Sequence, residues 1–270
     1  MCPPISEQRK IAAILSAYDD LIANNQRRIT LLEHMAEEIY REWFVRLRFP
    51  GYEQAKFEKG IPAGWRFSEL GQIATINSAS LKKGNAPERI WYIDISAVMT
   101  NRIGELVEMP LVDAPGRARR LVKHGDVIWS SVRPANRAYC LILEPLANMV
   151  ASTGFAVISP KPAAPYSFVH LAVTSASFVE QMAAVAKGAA YPATSFDDFA
   201  KARVLLPTAD LLSRFHGNCE PMVRRAHQLM KVNYALAAQR DALLPRLISG
   251  KLSVNKLDIC FPPAMEAPTA

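Results

Sequence analysis

Between Ala114 and Leu143 the chain places Arg117, Arg119, Arg120, Lys123, Arg133 and Arg137 against a single acid, Asp126, a local excess of five positive charges in thirty residues. Clustered guanidinium groups suit polyanions. They displace counterions from phosphates, and arginine's planar fork matches the O6 and N7 acceptors of guanine in a major groove. A solvated basic face is the other use of the same charges. Lys82 and Lys83, with Ser80, Gly84 and Asn85, make a second basic loop that fits a phosphate contact or plain solubility equally well. Trp91, Tyr92, Trp129 and Tyr139 interleave with these cations. They would pack either on sugars and thymine methyl groups or, at strand spacing, in a core. Gly188 to Pro192 reads as a small-residue turn.

Catalytic chemistry finds no comparable constellation. The only Gly-Lys step, Gly250-Lys251, is followed by Leu252 where a phosphate-binding loop needs Ser or Thr. No two glycines stand as G-x-G, so the dinucleotide fingerprint is missing. None of the twelve lysines has an acid two residues before it, a spacing many DNA nucleases use. His34, His124, His170, His216 and His227 lack H-E-x-x-H spacing and read as ordinary surface or helix residues. The four cysteines, Cys2, Cys140, Cys219 and Cys260, are scattered without a C-x-x-C pair, which fits neither a zinc site nor a disulfide framework and suits a reducing cytoplasm.

Two long helices must flank whatever carries the cations. From Ile11 the apolar residues step by four and three through Leu15, Tyr18, Ile22, Asn25, Ile29, Leu32, Ala36, Ile39 and Trp43, with no Gly or Pro between Ser6 and Phe49. That 3.5-residue period predicts a coiled-coil-type helix, with Ser6 as its N-cap. Asn25 is the one polar seam position, which either fixes register in a helix pair or sits at a water-accessible gap. A second seam runs Leu212, Phe215, Cys219, Met222, Ala226, Leu229, Asn233, Leu236, Arg240, Leu243 and Leu247, with Pro221 and Pro245 making its ends less regular. Ile22, Asn25, Ile29 and Leu32 are expected to pair with Leu229, Asn233 and Leu236.

Between the helices, β-prone runs such as Trp91 to Ile95, Asp126 to Ser131 and Phe155 to Ile158 alternate with turns and one helical run, Phe168 to Val185. The predicted fold is α+β: a long helix over residues 1–50, a mixed α/β domain over 51–206, a returning antiparallel helix over 207–254, and a disordered tail over 255–270. A chain of 270 residues, half of them hydrophobic, 21% charged and at +7, can bury a core; it has no apolar run long enough to span a membrane.

Several segments in order resemble one family. P-I-S-E-Q-R-K-I-A (Pro4 to Ala12), with its helix ending R-E-W-F (Arg41 to Phe44), is similar to the central helix of type I restriction-modification specificity subunits, HsdS. I-P-A-G-W-R (Ile61 to Arg66), Y-I-D-I-S (Tyr92 to Ser96), P-G-R-A-R-R-L-V-K-H-G-D-V-I (Pro115 to Ile128), S-V-R-P (Ser131 to Pro134) and A-S-T-G-F (Ala151 to Phe155) resemble its target recognition domain. Q-R-D-A-L-L-P-R-L-I-S-G-K-L (Gln239 to Leu252) resembles its C-terminal helix. A full subunit of that family has two recognition domains, so this chain looks like a half-subunit.

The resemblance implies a non-catalytic role. Such a subunit selects a bipartite double-stranded DNA sequence and docks modification (methyltransferase) and restriction subunits. S-adenosylmethionine, ATP and Mg would belong to those partners, so no cofactor or metal is expected on this chain. A homodimer would restore two domains and demand a palindromic target. A truncated, inactive remnant and a self-contained DNA-modifying enzyme are the rival expectations. The residues that meet DNA do not follow from the family; Lys82, Lys83 and the six cations from Arg117 to Arg137 are expected there on physical grounds alone.

Overall fold

The computed structural model describes residues 4–82, 86–259 and 261, and divides into two compact units. One joins residues up to Met35 with those from Met222 onward; the other is Ala36–Pro221.

The first unit is a helix pair, formed by most of α1 (Ile5–Tyr40) and the later part of a 40-residue helix, Ala209–Ile248. The two run antiparallel, because Ile11 packs with Leu247 and Val254 while Ile29 packs with Ala226 and Leu229. Ile22, Leu32 and Leu236 are half-buried along the same seam. Between the two apolar clusters, Asn25 Nδ2 donates to Asn233 Oδ1 at 3.0 Å, and Asn233 Nδ2 donates to the Ile22 carbonyl at 3.2 Å. Asn25 is buried, so its amide meets its partner's amide instead of a water-filled gap. Arg240 pairs with Asp19 across the helices at a half-exposed position.

Three local expectations change. The chain is helical from Ile5, so Ser6 lies inside α1 and is not its cap. Regular helix stops at Tyr40, and Arg41–Val45 form a π-helical turn whose wider winding leaves consecutive Trp43 and Phe44 both buried. The Ala209–Ile248 helix passes through Pro221 and Pro245 without a break; each proline forfeits a hydrogen bond, and the seam residues hold the helix across them. The tail differs at its start as well. Val254 is buried, and Lys10 Nζ donates to the carbonyls of Asn255 and Leu257 at 3.1 and 2.8 Å, so an ammonium satisfies acceptors left beyond the helix end. The remaining tail residues, except Phe261, lie largely outside the described residues from Cys260 on.

The second unit is built from two four-stranded sheets. In chain order its strands of three residues or more are β1 (Arg66–Glu69), β2 (Ala74–Ile76), β3 (Arg89–Ile93), β4 (Val107–Pro110), β5 (Ala118–Leu121), β6 (Val127–Ser130), β7 (Tyr139–Leu141), β8 (Met149–Ser152), β9 (Phe155–Pro160) and β10 (Arg203–Leu206). One sheet has the order β7-β6-β9-β2 and is antiparallel; the other has β4-β3-β8-β5, with β3 and β8 parallel. β1 and β10 form a separate ribbon. Both sheets contribute to one core, where Ile93, Ala151 and Met149 meet Ile128, Phe155 and Val157.

The run Phe168 to Val185 is not one helix but two, α2 (Tyr166–Thr174) and α3 (Ala176–Val185). Ser175 adopts extended backbone between them and its hydroxyl accepts from the Phe178 N–H, capping the second helix while the first ends. Trp129 lies fully buried under this pair. Its indole N–H donates to the Val173 carbonyl at 3.0 Å and its ring contacts Tyr139, Phe178 and Phe199. Tyr92 and Tyr139 are also buried and Trp91 is half-buried, so the interleaved aromatic residues build the core. Among the described residues no single helix is long and apolar enough to cross a membrane; the bent apolar pair α2–α3 is the wall of this core.

The seam yields a stability prediction. Replacing Asn25 alone with Leu strands the Asn233 amide and is expected to cost about 1–3 kcal/mol in urea unfolding, whereas the Asn25→Leu, Asn233→Leu pair recovers most of it. Simple additivity of the two losses would show that the amides do not act on each other. His170 in α2 yields a second. Burial pushes its pKa down to about 4, and its Nδ1 has no hydrogen-bond partner. The unfolded chain therefore takes up a proton that the folded chain refuses. Stability is full above pH 6.5 and falls as pH drops toward 4, by about 3 kcal/mol in total. Acid titration of a His170→Gln variant is expected to flatten that slope; an unchanged slope would assign it to other groups.

Candidate nucleic-acid interface

The cations contiguous in sequence are distributed over three places on the globular unit. The ends of β3, β6 and β8 come together at one end of the sheets, joined by backbone hydrogen bonds. The Thr153 N–H donates to the Arg117 carbonyl at 2.7 Å, the Ser131 N–H to that of Gly154 at 2.9 Å, and the Arg133 N–H to that of Pro192 at 2.7 Å. This end holds Arg117, Arg133 and Arg137. Arg119 and Arg120 lie on β5 itself, and Lys123 lies past its far end. The length of β5 thus separates Arg117 from Lys123, six positions on, while the chain's return brings Arg133 and Arg137 back to the Arg117 end.

The six differ in what already occupies them. Arg117 donates from Nε to the Tyr92 hydroxyl at 3.0 Å and from Nη2 to Asp94 Oδ2 at 2.5 Å. Asp94 also accepts from the Ser96 N–H and hydroxyl. Partial burial pushes the Asp94 carboxyl up, but hydrogen bonds from Ser96, Arg117 and Tyr92 outweigh it and hold the pKa at about 2. The positive charge of Arg117 is therefore matched internally. Arg119 is exposed, with only Nε engaged, by the Gly116 carbonyl at 3.1 Å. Arg120 alternates to the other face, half-buried over the Phe196 ring at 5.1 Å. Its Nη1 reaches Ser80 Oγ at 3.5 Å, its Nε has no partner, and burial pushes its pKa down. Lys123 is exposed, and its backbone N–H donates to buried Asp126.

Arg133 and Arg137 bracket a short 3-10 turn, Pro134–Asn136, and both have left-handed backbone, φ 50° and 53°. Neither side chain has an acidic partner among the described residues. The Arg133 guanidinium lies 4.5 Å from the centre of the Tyr191 ring. Tyr191 is held there by the 187–193 turn, in which Lys187 and Ala193 bridge and Gly188 has φ 104°. A Cβ on Gly188 would meet the Tyr191 carbonyl oxygen at 2.9 Å, so this position requires glycine. Beside Arg133 opens a cleft of about 590 Å³ lined by Ser96, Met99, Thr100, Val132 and Asn136 among others.

Lys82 is exposed just beyond the Ala79–Leu81 segment, which hydrogen-bonds along β5; Lys83, Gly84 and Asn85 lie outside the described residues. Tyr191, Asn136 and Asp94 were not among the residues singled out as a site. Tyr191 is separated from Arg133 by 58 positions, and only the Gly188 turn hinted at it. Among the described residues no group of three or more His, Cys, Asp or Glu could hold a metal ion, and Cys140 and Cys219 are buried outside any disulfide. His124 and His216 flank the Tyr166 ring edge-on, each at 5.4 Å, and His216 Nδ1 is 2.9 Å from Ser167 Oγ.

The fold described above is like that of solved HsdS subunits. The chain is a relative of type I restriction enzyme specificity subunits and resembles a half-subunit with one recognition domain. It is 25% identical over 274 residues to the MjaIX specificity subunit of Methanocaldococcus jannaschii, covering 94% of this chain and 61% of that one. It is 25% identical over 182 residues to the HindI specificity subunit of Haemophilus influenzae, covering 66% and 39%. Among solved structures, the HsdS subunit from Thermoanaerobacter tengcongensis superposes with a TM-score of 0.50 at 25% identity, over 75% of this chain and 52% of that one. The S subunit from M. genitalium gives 0.56 at 17% identity, over 90% and 61%, a likeness of fold. No protein-family profile matches the chain. The chain spans 61% of the first curated relative's length and 39% of the second's.

The Asp94 network is testable by pH. Because the folded carboxyl is depressed to about 2, its stabilisation is complete above the ordinary pKa of 3.8 and disappears as pH falls through 2. Asp94→Asn is therefore expected to be less stable than the parent chain in urea at pH 7, with the gap narrowing steadily below pH 4. A gap that stays constant to pH 2.5 would mean that the carboxylate charge contributes nothing.

Proposed function

We propose that this chain is the DNA sequence-specificity subunit of a type I restriction-modification system, itself non-catalytic, whose globular unit binds one half of a bipartite target. The observation that carries this reading is the pair of exposed guanidinium groups at one end of the sheets, Arg133 and Arg137, that no carboxylate among the described residues neutralises. A phosphate backbone would supply the missing charge. Likeness to specificity subunits over 94% of the chain supports the same reading.

In this reading the helix pair docks the modification subunits, and the restriction subunit joins that assembly. S-adenosylmethionine, ATP and Mg are bound by those partners and none by this chain. Two copies of the chain pair to supply the second recognition domain, and twofold symmetry makes the target a palindrome with a non-specific spacer.

Light scattering of the chain co-purified with its modification subunit is expected to give a mass containing two copies. Sequencing of methylated DNA from cells carrying both is expected to return one bipartite palindromic motif. A monomer that binds no modification subunit and directs no methylation would instead identify an inactive fragment. Methyl transfer or cleavage by the purified chain alone would identify an enzyme.

A further inference from the structure

Resting on the specificity reading above, we infer that Arg133, stacked on Tyr191, is the base-reading arginine of the domain, and that it recognises a guanine edge in the major groove. The remaining cations position the DNA or the protein.

The argument is one of elimination and preorganisation. Arg117 is occupied by Asp94 and Tyr92, so its fork is unavailable and its role is to hold the 94–96 and 115–117 segments together. Arg120 is half-buried over Phe196 with its Nε enclosed, and cannot present a full guanidinium edge. Lys123 lies at the other end of the unit and carries a point charge without a fork. Arg119 is exposed, but on the flank of a strand, with nothing fixing its outer nitrogens.

Of the six cations from Arg117 to Arg137, Arg133 alone combines exposure, lack of a counter-charge and an aromatic ring under its guanidinium; Arg203 also lies over an exposed ring, Phe67 at 4.8 Å, but on the separate β1–β10 ribbon, and it lines no part of the cleft beside Arg133. The Tyr191 ring fixes that plane from one side at 4.5 Å, and Tyr191 is itself 68% exposed, so the pair projects beyond the core. An arginine orders several torsions when it binds; stacking on a ring orders them beforehand and leaves both terminal nitrogens to donate in parallel. The backbone is equally committed. Both Arg133 and Arg137 hold left-handed backbone, which side chains with a Cβ rarely adopt. Hydrogen bonds from the Arg133 N–H to Pro192 and from Thr100 Oγ1 to the Arg137 carbonyl hold the strained turn in place. Asn136 lies on the same turn, at the rim of the 590 Å³ cleft, where Met99 and Thr100 offer apolar and hydroxyl contacts to a neighbouring pair.

The test uses the full chain co-expressed with its modification subunit and reads methylated sites by sequencing, with binding measured on oligonucleotides at two salt concentrations. The parent motif is expected to contain a G·C pair in each half-site. Arg133→Lys keeps the charge but loses the fork, and is expected to relax preference at that one pair by about 10-fold or more while leaving the rest of the motif intact. Tyr191→Leu is expected to relax the same pair to a smaller degree. Arg119→Ala is expected to weaken all sequences alike and to lower the salt dependence. An unchanged motif with Arg133→Lys, or a uniform loss on every sequence, would overturn the assignment and make Arg133 a phosphate contact or a bystander. Absence of any sequence preference in the parent complex would instead sink the specificity reading, and with it this one.

Discussion

The globular unit depends on the ring of Phe44. It touches Tyr40, Trp43, Trp65, Phe168 and Phe215, with centroid distances from 4.8 to 6.2 Å, all in edge-on or tilted geometry. These rings come from the residues that precede the sheets, from the helix that walls them, and from the helix that follows them. Edge-to-face packing fixes orientation as well as distance, because the positive rim of one ring meets the negative face of the next. In the π-helical turn Arg41–Val45 the consecutive Trp43 and Phe44 are both buried. The beginning and end of the unit are thereby tied to its middle by side chains that carry no charge and no ligand.

Much of this was legible in the sequence. The 3.5-residue seam over more than four heptads and the lack of Gly or Pro from Ser6 to Phe49 determine the first long helix, since burial of one face outweighs the modest propensities along it. Three strands, Arg89–Ile93, Val127–Ser130 and Phe155–Pro160, were readable from their β-branched and aromatic runs. What was not legible depended on single local competitions. Ser175 ends one helix because its hydroxyl caps the next, and Pro221 and Pro245 fail to end theirs because the seam holds the turns around them. Composition exposed the basic stretch, but the alternation of β5 and the reversal into β6 distribute it over three places. The contacts that distinguish one arginine from another, Asp94 for Arg117, Phe196 for Arg120 and Tyr191 for Arg133, are tertiary. No periodicity encodes them.

Charge in this protein is therefore sorted by what surrounds it. An arginine matched by a carboxylate acts as structure, one laid half-buried on an aromatic face loses reach, and one stacked in the open keeps a directed edge. The net +7 understates the distinction, because it counts all three alike. The helix pair uses the opposite device: the side-chain contact between Asn25 and Asn233 in its seam is neutral, and it specifies alignment without a field.

That amide contact joins residues 208 positions apart, which bears on the order of folding. In an unfolded chain, closing so long a loop costs about 5 kcal/mol of entropy before any seam contact forms. Once residues 36–221 have folded, Tyr40 and Phe215 are 6.1 Å apart, and the loop still to be closed is only the short stretch on either side. Within the seam the contacts of Ile29 with Ala226 and Leu229 close a shorter loop than those of Ile11 with Leu247, so each contact shortens the search for the next. A ribosome that has released only the first helix has made a segment whose seam partner is not yet synthesised, so that helix waits for nearly the whole chain.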